Sequence, residues 1–307
     1  MRKGVYIFLV TLTAIIILAT LVSAGLFDWI KKPRITGEAT TANTALNITV
    51  GNTVPTITVV NAIAAQDPTI GATTSITFNF TATDTDGASN INLSTAQAFF
   101  NKTGESTRSN SSCINTSIGV GNNINFTCTI NMQYFDLNGA WTINTTIKDN
   151  SAAYAENSST TFTYNLLTAM VMAPTSLSWQ QLATTDTNVG SNNDPIVVNN
   201  SGNDIDLNVN VTSYNLRGET TLTEFIYANN FTIENASQGC SGTAMVNASS
   251  INITSALLQR GNNSINYANA TSGQEEVFFC LKGLPGGISQ QSYSSSAYGS
   301  WIVAVIT

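Results

Sequence analysis

The chain has 307 residues, a net charge of −7, charged groups at only 9% of positions and no histidine. An acidic balance with sparse Lys and Arg lacks the electrostatic footprint of nucleic-acid binding. Without histidine, Ser-His-Asp and Cys-His catalysis cannot be assembled from this chain, and a zinc site loses its usual ligand.

Residues 5–27 carry no charge and read VYIFLVTLTAIIILATLVSAGLF. About 20 apolar residues cross a bilayer as a helix, so this run is long enough. Three readings fit residues 1–27. Val22-Ser23-Ala24 matches the small-residue site of a cleaved secretory signal. The length exceeds the usual signal core of roughly 7–15 residues, which suits an uncleaved transmembrane anchor. Lys3-Gly4 ahead of a long apolar helix resembles an archaeal pilin-type processing site, although Tyr6 departs from that pattern. Basic residues flank both ends (Arg2 and Lys3; Lys31, Lys32 and Arg34), so charge leaves the orientation open.

Residues 28–55 are polar and turn-rich and read as a stalk. From 56 to 167 the pattern changes to period two, the signature of half-buried strands. Ile76, Phe78, Phe80 and Ala82 face one way and Thr77, Asn79, Thr81 and Thr83 the other. Ile124, Phe126, Cys128, Ile130 and Met132 repeat the rhythm, as do Trp141, Ile143, Thr145 and Ile147, and then Phe162, Tyr164 and Leu166. Turn residues punctuate these runs at Asp84-Thr85-Asp86-Gly87, Gly121-Asn122-Asn123, Leu137-Asn138-Gly139 and Asp149-Asn150-Ser151. A second domain spans 173–307. In it Ile205, Leu207, Val209 and Val211 alternate with Asp206, Asn208 and Asn210, and EEVFFCL at 275–281 is apolar on both faces. The almost wholly apolar run at 301–306 predicts a central, buried strand. The expected architecture is all-β: two β-sandwiches after an N-terminal apolar helix.

Four cysteines in an exported chain suggest disulfides. Pairing Cys113 with Cys128 and Cys240 with Cys280 keeps each crosslink within one domain; four buried thiols are the alternative. Asn-x-Ser/Thr sequons occur at Asn47, Asn79, Asn92, Asn101, Asn110, Asn115, Asn125, Asn144, Asn157, Asn199, Asn210, Asn230, Asn235, Asn247, Asn252, Asn262 and Asn269. These 17 compare with roughly 9 expected from the Asn, Ser and Thr content. One reading is a glycan coat. The other is a strand surface in which Asn and Thr alternate with apolar residues. Asn79, Asn125 and Asn144 fall on the polar faces of predicted strands, where a glycan is tolerated.

Several stretches resemble exported bacterial and archaeal cell-surface proteins with immunoglobulin-like domains. FNFTATDTDGASNINLS at 78–94 is similar to the strand–turn–strand of cadherin-like and PKD-like modules. GAWTINTTIKDNSAAYAENSSTTFTYN at 139–165 resembles their closing hairpin, and PIVVNNSGNDIDLNVNVTSYNL at 195–216 resembles the entry of other extracellular β-sandwich modules. LFDWIKKPRITGEATTANTALNITV at 26–50 looks like the region after the signal in exported archaeal proteins. The WDFGDG-type signature of PKD modules is missing. The resemblance implies two immunoglobulin-like sandwiches at the cell surface, or a secreted pair. Possible partners are the membrane through residues 5–27, envelope glycans, surface proteins and further copies of the chain.

Few residues suggest chemistry. Asp84, Asp86 and Asp149 cluster at one end of the first sandwich, where carboxylates suit calcium; the alternative is Asx turns capping strand ends. Trp179, Tyr293 and Tyr298 offer aromatic area for a carbohydrate, with Leu284 to Gly299 as the longest flexible-looking loop. Glu275 and Glu276 are adjacent in a strand and so point apart, which is poor for paired acid–base work. Gly239-Cys240-Ser241-Gly242 resembles a nucleophile turn but lacks a base. The sequence therefore predicts a non-catalytic structural or adhesive surface protein. A ligand-binding surface module, a pilin-like subunit and a carboxylate-only enzyme are the alternatives.

Overall fold

The computed structural model describes residues 45–118, 121–237, 239–261 and 273–307. The N-terminal apolar segment, most of the stalk, and sequons Asn262 and Asn269 lie outside the described residues. The chain divides at Gly51 into two compact units, 1–51 and 52–307. Of the first, residues 45–51 are described; they are exposed and form no strand.

Residues 52–307 are β-structure with two short 3₁₀ turns and no α-helix among the described residues. The first lobe contains β1 (Thr56–Val60), β2 (Thr74–Thr83), β3 (Ile91–Asn101), β4 (Arg108–Asn110), β5 (Ile114–Ile118), β6 (Asn123–Met132), β7 (Gly139–Asp149) and β8 (Tyr154–Tyr164). They form two four-stranded antiparallel sheets, ordered β1-β2-β6-β5 and β4-β3-β7-β8. The period-two runs read from sequence supply the inner faces, except that Leu166 falls beyond the end of β8 and is exposed. Phe80 and Phe126 are register partners with ring centroids 4.9 Å apart, while Phe78 meets Phe100 of the opposite sheet at 5.6 Å. Trp141 is fully buried, and its indole N–H donates to the Leu137 carbonyl at 2.9 Å. All four turn clusters lie at or beside strand ends, because Asn, Asp and Gly accept the conformations that reverse a chain.

The second lobe contains β9 (Met170–Ala173), β10 (Thr187–Gly190), β11 (Ile196–Asn200), β12 (Leu207–Thr212), β13 (Leu216–Gly218), β14 (Phe225–Ile226), β15 (Phe231–Glu234), β16 (Thr243–Ala244), β17 (Ser250–Leu258), β18 (Gln274–Gly283), β19 (Tyr293–Ser294) and β20 (Ile302–Ile306). Their sheets run β16-β15-β18-β11-β9 with β10 also on β18, then β17-β12-β20, and β14-β13-β19. This lobe has its own apolar core, distinct from that of the first. It starts at Met170, ahead of the expected boundary at 173, because Met170 and Met172 pack on its core.

The expectation of a central, buried final strand is corrected. Among the described residues β20 pairs only with β12, so it is an edge of its sheet there, and Ile302 and Ile306 are exposed. The central place belongs to β18. Its first half pairs with β11 and its second with β15, while β10 lies on the side of β11. Between β10 and β11 the ladder breaks, and the Asp194 carboxylate accepts the Phe279 N–H at 3.2 Å in place of a backbone carbonyl. Burial raises the pKa of Asp194 despite hydrogen bonds from Ser191 and Phe279 that favour its charge.

Candidate functional site

The outer face of β2 and β6 is a ladder of uncharged hydrogen bonds. Ser75 meets Asn131 at 2.7 Å, Thr77 meets Thr129 at 2.8 Å and Thr127 donates to Asn79 at 2.6 Å. Thr81 donates to Asn125 at 2.8 Å and Thr83 to Asn123 at 2.6 Å. Each pair is a direct register pair, so the pleat brings the side chains together. Asn and Thr two residues apart share a face of a strand. An N-x-T sequon is therefore also the natural word for such a ladder, which accounts for part of the sequon excess. Of the 17 sequons, the fifteen within described residues have solvent-accessible or half-buried asparagines, and none is buried. The amide of Asn79 has no acceptor among the described residues. Those of Asn110, Asn144, Asn157 and Asn230 donate to Thr129, Glu156, Ile57 and Gly283.

Both expected disulfides are present, Cys113–Cys128 and Cys240–Cys280. Each lies within one lobe. Cys240, the centre of the nucleophile-like turn, is thereby committed to a crosslink. Two disulfides fit an oxidising, extracellular or secreted setting.

Asp84, Asp86 and Asp149 act as strand-end caps in this structure. Asp84 accepts its own turn's Asp86 N–H at 2.9 Å and the Asn90 amide at 3.1 Å. Asp86 accepts the Thr53 N–H at 2.6 Å, and Asp149 accepts the Asn52 amide at 2.7 Å and the Ala153 N–H at 2.8 Å. The Asn52 bond, opposed in part by burial, holds the Asp149 pKa below its ordinary value. Among the described residues no three acidic, Cys or His side chains gather as a metal cluster.

The three aromatic candidates separate. Trp179 packs edge-on against Phe231 at 5.2 Å, and its indole donates to the Val189 carbonyl at 3.0 Å. Tyr293 is pinned. Its hydroxyl donates to Glu224 at 2.6 Å, and Glu224 also accepts the Ser289 hydroxyl and N–H, each at 2.7 Å, and the Gln291 amide at 2.8 Å. These bonds, led by Tyr293, lower the Glu224 pKa to about 2. The flexible-looking loop is thus clamped and carries the short strand β19. Tyr298 stays exposed beside Phe225, with the Arg217 guanidinium 5.7 Å from its ring centroid. Arg217, Phe225 and Ser294 are register partners on one face of the sheet β14-β13-β19, and Tyr227 lies 6.2 Å from Phe225. Sequence reading missed Arg217, Phe225 and Tyr227, because strands of two or three residues are too short to display a period.

Sequence reading also missed the seam between the lobes. NNSGND at 199–204 reads as a surface turn, yet Asn200, Ser201, Asn203 and Asp204 are buried. The Asn203 amide donates to the Asp136 and Asn165 carbonyls at 3.0 and 2.9 Å. A Cβ at Gly202 would overlap the Leu167 carbonyl, so this approach requires glycine. Arg260 crosses to the first lobe, donating to Glu105 and to the Phe135 carbonyl, each at 2.8 Å. Arg108 grips Asp136 from the other side through its Nε at 2.9 and 3.0 Å.

No protein-family model matches the chain, and neither does any curated protein.

Proposed function

We propose that the chain is a non-catalytic structural protein of the cell surface, a stiff spacer that carries a polar, glycosylated exterior. The observation that carries this reading is the seam. Two lobes with separate cores are joined by buried side-chain hydrogen bonds and by the Arg260–Glu105 ion pair, which resist bending without calcium. The first lobe is read as immunoglobulin-like, since β1-β2-β6-β5 over β4-β3-β7-β8 follows the order of the A-B-E-D and C-F-G sheets with one added edge strand. Disulfides in each lobe suit an exported chain, held at the membrane by residues 5–27 if they are retained. Intact mass and N-terminal sequencing of the protein from its native membrane test this reading. The expected result is an oxidised chain with added glycan mass, and reduced thiols would overturn the exported setting.

A second reading, a carbohydrate-binding surface, is favoured by the exposed aromatic and arginine face around Tyr298 rather than by Trp179. Glycan-array binding that disappears in Arg217→Ala and Tyr298→Ala would establish it over the purely structural role.

A further inference from the structure

Residues 45–50 read ALNITV. Leu46, Ile48 and Val50 alternate with Asn47 and Thr49, the period of a half-buried strand. No strand forms there, and the three apolar side chains are 82%, 74% and 85% exposed. This is strand chemistry without a sheet.

The second lobe has the converse. β20 pairs with β12 from Asn208↔Ile306 to Thr212↔Ile302 without a bulge, and no other strand among the described residues pairs with it. Edge strands are normally blunted by charge, proline or a bulge. IVAVI has none of these, and Ile302 and Ile306 are 50% and 45% exposed. Its outer side presents a row of backbone N–H and C=O groups flanked by bare apolar side chains.

We infer that residues 45–50 of one copy add as an antiparallel strand to the outer edge of β20 in a second copy. Backbone hydrogen bonds supply affinity and the alternating side chains supply register. Leu46 then sits opposite Ile306, Ile48 opposite Ala304 and Val50 opposite Ile302, so the exposed apolar groups of both strands cover one another. A slip of one residue would turn Leu46, Ile48 and Val50 to the opposite face and leave Ile302 and Ile306 bare.

The partner must be another molecule. Asn52 and Thr53, which follow the segment, are bound to Asp149 and Asp86. Asp149 ends β7, whose other end, at Gly139, adjoins the seam residues 135 and 136. Eleven residues of strand span about 35 Å. Six residues reach only about 20 Å, too short to pass along the first lobe to the second. Joining the distal end of one copy to the second lobe of the next is a head-to-tail contact, which makes open chains where the rotation does not close. The inference does not depend on surface location.

The test is sedimentation velocity of the full chain across a concentration series, with Ile48→Asp alongside. Ile48 is solvent-exposed, so the substitution leaves both cores intact, and comparison at equal concentration separates this contact from association through residues 5–27. The expected result is concentration-dependent association that weakens at least tenfold in Ile48→Asp. Excess synthetic peptide TALNITVG should dissociate the wild-type chain and slow amide exchange at residues 302–306. Equal association of the variant, a wild-type chain that stays monomeric, or unchanged exchange at 302–306 would each overturn the inference.

Discussion

Glu224 shows how one carboxylate can order a loop. It accepts four hydrogen bonds from Tyr293, Ser289 and Gln291, and its pKa falls to about 2. A depressed folded pKa stabilises the fold above the unfolded value, near 4.3, and this is lost as pH falls through about 2. Protection factors of residues 289–294, which divide out the intrinsic pH dependence of amide exchange, should therefore hold from pH 7 to about 4 and fall towards pH 2. Glu224→Gln should show low protection throughout, measured by mass spectrometry. Asp194 has the opposite sign. Burial raises its pKa, so its contribution is greatest in acid and declines as pH rises through the folded value. Neither carboxylate was recognisable beforehand. Glu224 contacts residues 65–69 positions away, and one sequence does not reveal such a meeting.

At the scale of elements, the long strands were legible and the short ones were not. β2, β6 and β7 extend over ten or eleven residues with one face buried, so alternation marks them clearly. β13, β14 and β19 have two or three residues each, and tertiary pairing alone creates them. Apolar composition at 301–306 does not distinguish a strand buried on both sides from an edge strand with exposed Ile302 and Ile306. The ladder on β2 and β6 should be measurable. Thr127→Val together with Asn79→Ala in a double-mutant cycle should give a coupling of about 0.2–1 kcal/mol by urea denaturation. The disulfides, separated by 15 and 40 residues, should matter more. Replacing Cys113 and Cys128 with serine should cost about 3 kcal/mol, and replacing Cys240 and Cys280 about 4 kcal/mol, by the same assay.

Across the whole molecule the lobes are coupled through few residues. Arg260 donates charge-assisted bonds to Glu105, and Arg260→Ala should cost about 1.5–3 kcal/mol. It should also split a single calorimetric transition into two, since each lobe keeps its own core. Sequence periodicity leaves 168–172 as connector, whereas Met170–Ala173 form β9 and pack on the second core. It could not reveal that the connector region and NNSGND form a buried seam, because polar residues between strands normally mark solvent.

The uncharged ladder has a consequence for the medium in which such a protein can operate. Screening acts on charge–charge energies, and the Debye length shortens from about 10 Å at 0.1 M salt to about 3 Å at 1 M. The β2–β6 face is held by hydroxyl and amide pairs, on which dissolved ions have little leverage. The melting temperature should change little between fresh water and brine, and a fall of more than a few degrees by calorimetry over that range would contradict this.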